Sequence, residues 1–156
     1  METTVDESVP SNTLIINAYA KIASLQAELD KKLEAEAKRP RKKFITASTK
    51  EYKYAHYMDA WRVKVEHIGT LNYPEQARRQ KLSGKLLLDV AINANGTIRE
   101  VKIIESSGHA ILDDAALRIV HLAAPFPPFS ESIRQETDIL HITRTWNFLY
   151  GRLIGK

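Results

Sequence analysis

The residues able to do chemistry are few in this chain, and their spacing is poor for it. Five histidines, His56, His67, His109, His121 and His141, are scattered with no H-E-x-x-H arrangement, and no two share a helix at the i, i+4 separation that would aim both rings at one metal. Asp113-Asp114 with His109 suggests acid–base or hydrolytic work. Adjacent carboxylates point to different faces of a helix, however, and first-turn aspartates are expected on stability grounds alone. Ser106-Ser107-Gly108 lacks the G-x-S-x-G elbow, and no glycine-rich loop is present to cradle a phosphate. With no cysteine at all, thiolate catalysis, cysteine-ligated zinc and iron–sulfur clusters are excluded. The expectation is a protein that is not an enzyme and carries no metal or other cofactor.

Charge gives a second route to function. The net charge of +4 over 156 residues is unevenly placed. Residues 1–30 hold one basic and five acidic side chains, residues 31–53 hold nine and three, and residues 54–156 hold thirteen and eleven. The basicity therefore concentrates in Lys38-Arg39-Pro40-Arg41-Lys42-Lys43, which reads as a linker outside the folded core. A basic run beside Lys50, Tyr52, Lys53 and Tyr54 raises a small RNA-binding module as an alternative, but the strands offer no aromatic pair for base stacking, so no nucleic-acid partner is expected.

The elements that would position any site follow from periodicity. Ser11 or Asn12 can cap a helix in which Ile15, Ala18, Ile22, Leu25 and Leu29 recur at alternating steps of three and four, the spacing of a coiled-coil seam. Lys32 takes the next seam position with Leu33 beside it, and Pro40 stops the helix. A homotypic pairing helix and an amphipathic helix lying on the domain both fit this pattern. Tyr54, Met58, Trp61, Val65 and Ile68 predict a second helix ending near Gly69, and Asn72-Tyr73-Pro74-Glu75 opens a short third one running to about Leu82.

Residues 84–93 alternate as a half-buried strand, with Leu86, Leu88, Val90 and Ile92 on one face. Asn95-Gly96 predicts a type I′ hairpin, and residues 97–105 a return strand with a bulge near Arg99 or Glu100. A helix over 112–123 ends at Pro125, Pro127 and Pro128, and residues 138–149 form a last strand in which Arg144 interrupts the apolar face of Leu140, Ile142, Trp146 and Phe148. The fold class implied is α+β: a two-layer sandwich with a three-stranded, antiparallel-type sheet of order 2-1-3, helices on one face, and an N-terminal helical extension. The last strand falls at an edge. The domains expected are a heptad-like helix over 1–37, a basic linker over 38–50 and a folded domain over 51–156.

An ordered set of motifs resembles the C-terminal domain of the TonB family of energy transducers. It comprises Asn72-Tyr73-Pro74-x-x-Ala77-Arg78, Leu82-x-Gly84-x-Leu86-x-Leu88-x-Val90, Asn95-Gly96-x-Ile98-x-x-Val101-x-Ile103, Ser106-Ser107-Gly108, Leu112-Asp113-x-Ala115-Ala116 and Trp146-x-Phe148. Ala124-Pro125-Phe126-x-Pro128-Phe129 looks like that family's helix-to-strand connection. The resemblance implies a periplasmic domain, anchored to the inner membrane in the full-length protein. It would bind the TonB box of outer-membrane receptors by edge-strand addition and transmit pull derived from the proton gradient for active transport. It also implies partnership with inner-membrane Exb proteins through an anchor missing from this sequence, so that the chain reads as a fragment. The partner-binding residues carried over are Asn72, Tyr73, Pro74 and Arg78, together with Ile139, Leu140, His141, Ile142, Thr143, Arg144 and Thr145 on the last strand. A TolA-like domain or a structural envelope adaptor is the alternative within the envelope, and a homodimer through the N-terminal helix is compatible with any of these.

Overall fold

A computed structural model describes residues 11–156, and the chain divides into two units, residues 1–39 and 40–156. The described part of the first is one helix, α1 (Ser11–Lys38). Its sequence is rich in Ala, Leu, Glu and Lys, all strong helix formers. Neither glycine nor proline occurs until Pro40, which cannot donate to a helix ladder. Every apolar residue of its seam is exposed.

The second unit runs β1 (Lys42–Thr46), α2 (Tyr52–Leu71), α3 (Glu75–Arg79), β2 (Gly84–Asn93), β3 (Ile98–Glu105), α4 (Ala110–Ala123), α5 (Glu131–Arg134), β4 (Ile139–Leu149) and β5 (Arg152–Gly155). β2 pairs antiparallel with β3 and β4, which is the expected 2-1-3 core of the sheet. Alternation puts Leu86, Leu88, Val90 and Ile92 of β2 and Leu140, Ile142, Trp146 and Phe148 of β4 on one buried face, where α2 contributes Trp61 and α4 contributes Ile119.

The sheet is larger than expected and mixed. It has five strands in the order β1-β4-β2-β3, with β5 also on β4. β1 lies parallel to β4 along Ile139–Thr143, and β5 lies antiparallel along Trp146–Leu149. Between them Thr145 exchanges backbone hydrogen bonds of 3.2 and 2.8 Å with Lys156. The last long strand is therefore interior, which corrects the expected open edge. The segment 38–50, expected as a linker, contains β1. The reason is physical: strands of five and four residues are too short for a period to register, and both are held by β4 rather than by local propensity.

Finer differences concern the hairpin turn, a second bulge and the short helices. Among the hairpin residues only Gly96 has positive φ, at 89°, and Gly96 N–H donates to the Asn93 carbonyl at 2.9 Å. The turn thus begins at Asn93 and puts a left-handed glycine at its end, in place of a type I′ turn on Asn95-Gly96. The expected bulge falls at Arg99, which is skipped between the pairs Ala91↔Glu100 and Ile92↔Ile98. A second skips Ile104. The third helix stops at Arg79 because Lys81 turns left-handed at φ 54°, and α5 was not expected.

Candidate functional site

The strand carrying most of the expected partner-binding residues has two differently covered halves. Along β4, Ile139, Leu140, Ile142 and Arg144 are buried, whereas His141, Thr143 and Thr145 are only partly so. Leu140, Ile142 and Arg144 share the helix-facing side, so they could reach a partner at the strand edge through the backbone alone. Arg144 is 8% exposed, and its Nε–H finds no acceptor among the described residues. Burial, followed by the field of Arg62, lowers its pKa.

β1 is pinned at its start. Arg41 forms a fork on Asp138, with Nε at 3.1 Å from Oδ2 and Nη2 at 3.1 Å from Oδ1. It also donates to the carbonyls of Gln135 at 2.6 Å and Arg134 at 3.0 Å. Its own backbone closes the clamp, with Arg41 N–H to Asp138 Oδ2 at 2.7 Å and Arg41 C=O accepting from Asp138 N–H at 2.8 Å. Hydrogen bonding by Arg41 holds the Asp138 carboxyl below the usual carboxylate range, and the same bond raises Arg41. This fork, which sequence reasoning missed, joins residues far apart in the chain. Beyond the clamp β1 buries one side chain fully, Ile45, while Lys42, Phe44 and Thr46 are exposed.

β5 is held more broadly. Leu153 sits so close to α2 that a Cβ on Gly69 would lie 2.3 Å from its Cδ2. Gly155 N–H donates to Glu66 at 2.8 Å, and Leu153 N–H to Thr70 Oγ1 at 3.4 Å. Two halves of one strand side thus have covers of unequal attachment.

The sheet face opposite the helices holds a small polar group. His141 Nδ1 lies 2.8 Å from Asp89 Oδ2, Thr143 Oγ1 donates to Asp89 Oδ1 at 2.9 Å, and the Phe44 ring stacks on His141 at 4.5 Å. A shallow groove of about 550 Å³ runs beside it between Phe44, Asp89, Lys102, Ile104 and Thr143. Phe44 belongs to the segment expected as a linker. Its signal in the sequence was the short run Phe44-Ile45-Thr46 of strand-forming residues.

The second expected group lies at the other end of β4. Tyr73 is buried, packs edge-on against Phe148 at 5.7 Å, and donates from its hydroxyl to the Leu82 carbonyl at 3.2 Å. The Arg78 guanidinium lies over the same ring at 5.9 Å. Asn72 caps α2 through its backbone N–H at 3.0 Å and its side-chain amide at 2.8 Å, both to the Ile68 carbonyl, and Pro74 precedes α3. The fold therefore separates the expected residues into a Tyr73 cluster by Phe148 and an Ile139–Thr143 stretch under β1.

Asp113, weighed above as an acid–base residue, instead organises the β3–α4 corner. It accepts from Ser107 N–H at 2.9 Å and from the hydroxyls of Ser106 and Ser107. Burial works to raise its pKa, but the bonds from Ser106 and Ser107 outweigh it and hold the carboxyl low. Among the described residues no cluster of metal-ligating side chains occurs, and no helix is long and apolar enough to cross a membrane.

Comparison with known proteins bears on this geometry. Residues 70–149 match the family described as Gram-negative bacterial TonB protein C-terminal. The chain is 31% identical over 70 residues to the protein described as Protein TonB from Helicobacter pylori strain J99, and equally to that of strain 26695. The match covers 44% of this chain and 25% of each relative, so the chain spans about a quarter of the length of those relatives. A solution structure of the Helicobacter pylori TonB C-terminal domain superposes with a TM-score of 0.50 at 22% identity, covering 66% of this chain and 85% of that one, which is a likeness of fold.

Proposed function

Because the chain belongs to the family of Gram-negative bacterial TonB protein C-terminal domains, we propose that its folded unit is the receptor-gripping part of an energy transducer. On this reading it is not an enzyme. It works in the periplasm, takes hold of the extended TonB-box segment of an outer-membrane receptor by strand addition, and passes on pull derived from the proton gradient through Exb partners at the inner membrane. The observation that carries the proposal is the far side of β4. Along Ile139–Thr143 that side receives a parallel strand of five residues, so its backbone groups have the spacing that a receptor segment would need.

The incoming segment takes the place of β1. The exchange is like for like, since it removes one set of ladder bonds, remakes another and refills the slot of Ile45 with an apolar side chain. Four or five backbone bonds at roughly 0.5–1.5 kcal/mol net give about 2–7 kcal/mol before the peptide's ordering cost. They must also compete with a tethered strand already in place, so micromolar or weaker affinity is expected. A strand tied at both ends cannot leave sideways, so the Arg41 fork has to open first, with the Thr46–Thr49 turn (Thr49 N–H to Thr46 C=O, 3.0 Å) acting as the hinge. Asn72, Tyr73, Pro74 and Arg78 then contact the receptor beyond the box, at the far end of β4.

Calorimetric titration of the chain with a synthetic TonB-box peptide tests this. Arg41→Ala is expected to tighten binding severalfold by loosening the resident strand. Weaker binding by Arg41→Ala would mean that the segment adds outside β1. Absence of binding by both proteins, with no receptor plug domain retained by the immobilised chain, would reject the transducer reading itself.

A further inference from the structure

We propose that α1 pairs with α1 of a second copy of this chain as an antiparallel coiled coil. The helix runs 28 residues without interruption, about 42 Å at 1.5 Å per residue. Its seam residues Ile15, Ile22, Leu25 and Leu29 are 50, 60, 55 and 49% exposed. An amphipathic helix gains most of its stability from covering such a stripe. The occupant is argued from the pattern of sizes and charges along the seam.

In a heptad with Ile15, Ile22 and Leu29 at a and Ala18, Leu25 and Lys32 at d, a parallel pair stacks each residue on its own copy. Ala18 would then face Ala18 across a gap, Lys32 would face Lys32 with like charge, and the flanking residues would pair Lys21 with Gln26 and Glu28 with Leu33. None of these four contacts is favourable, and they offset what a parallel pair would gain from Ile15, Ile22, Leu25 and Leu29 on their own copies and from Leu14 against Tyr19. Antiparallel, with a facing d, the layers become Ala18 against the partner copy's Leu29, Ile22 against its Leu25, and the two reciprocal contacts. Each small residue now meets a large one, as dense packing requires.

The flanking g positions in the same register bring Lys21 opposite the partner copy's Glu28, twice by symmetry. Neither residue has an ion-pair partner among the described residues of its own chain. Lys32 falls opposite Ile15, where its stem covers apolar surface and its ammonium stays in water. Charge and volume thus select the same register of the same partner.

The absence of cysteine makes the orientation directly readable in the full chain. Ala18→Cys and Leu29→Cys, prepared separately and mixed under mild oxidation, are expected to give the mixed disulfide, identified by mass. Ala18→Cys alone is expected to give almost none, because in this register its two sulfurs lie about eleven residues, roughly 16 Å, apart. Light scattering should report a dimer that Leu25→Glu converts to monomer without loss of the sheet's circular dichroism. Lys21→Glu should raise the dimer dissociation constant about tenfold, and adding Glu28→Lys should restore it. A monomeric parent chain, a trimer or larger assembly, or self-linking of Ala18→Cys in preference to the mixed product would overturn the proposal.

Discussion

Replacing Ile45 by alanine separates strand replacement from simple edge addition. Ile45 is the one fully buried side chain of β1, opposite Ile142 in register. Deleting three carbons forfeits about 2.4 kcal/mol of transfer energy at roughly 0.8 kcal/mol per methylene, and truncations of this kind, cavity included, cost about 2–5 kcal/mol in total. Where β1 competes with an incoming segment, that loss falls on the closed state alone. The low end corresponds to about thirty-fold in the closing equilibrium, at 1.4 kcal/mol per factor of ten. The gain in affinity is capped once β1 is mostly open. Ile45→Ala is therefore expected to bind a TonB-box peptide at least about tenfold more tightly while remaining folded. Titration gives the affinity, and hydrogen exchange at the His141 and Thr143 amides reports the freeing of β4. Unchanged or weaker binding by a variant with native circular dichroism would refute the reasoning and leave Ile45 as core packing only.

Thr143→Pro would have spared the fold on an open edge. In an interior strand paired with both β1 and β2 it is expected to break the sheet, lowering the urea midpoint by an amount equivalent to about 3 kcal/mol or more. Arg144→Met replaces a buried guanidinium whose Nε lacks an acceptor; the melting temperature should rise by several degrees, for about 1–3 kcal/mol, and a fall would show that the arginine has bonds it cannot do without. The low pKa of Asp113 gives stability that is fully present above the unfolded value of 3.8 and is lost as pH falls through the folded value. Urea midpoints measured across that range should therefore fall less steeply for Asp113→Asn than for the parent chain, and parallel curves would refute the assignment.

The sequence made the centre of the sheet legible because each local signal there agreed with its neighbours. Leu86, Leu88, Val90 and Ile92 keep one continuous apolar face along residues 84–93, the Arg99 bulge is written in the parity change between Ile98 and Val101, and the crossover through α4 orders β3, β2 and β4. What stayed hidden depends on distant partners. Residues 42–46 read as basic linker until Arg41 meets Asp138 and Ile45 finds its slot beside Ile142. Neither pairing leaves a trace in any short window of sequence. The candidate site divides in the same way: the strand that carries it is legible in the sequence and the cover on that strand is not. Tyr73 and Arg78 are assigned together because the family resemblance places both in the Asn72–Arg78 motif, but their distance from Ile139–Thr143 follows only from the length of β4.

If the folded unit grips a receptor segment as proposed above, the unequal covers of β4 give its two halves different parts. β5 is tied to α2 through Leu153, Thr70 and Glu66, contacts in which β1 takes no part. β1 is tied by its ladder to β4, the Arg41 fork, the buried Ile45 and the Phe44–His141 stack, with no hydrogen bond to α2 among the described residues like those of β5, and it is also where the chain enters the folded unit. Any tension carried by residues ahead of Pro40 therefore reaches the fold first at the Arg41 fork, before it reaches the rest of the sheet. On the proposed function, pull and receptor segment would act on the same five residues with the same sign, tension opening the fork and the segment occupying what the fork released. Linkage makes this coupling reciprocal: a bound segment must lower the tension at which β1 leaves, by the same free energy with which tension favours the segment. A grip of the proposed kind would be weak at rest and firm under load, and it would require no second conformation of β2, β3 or the helices.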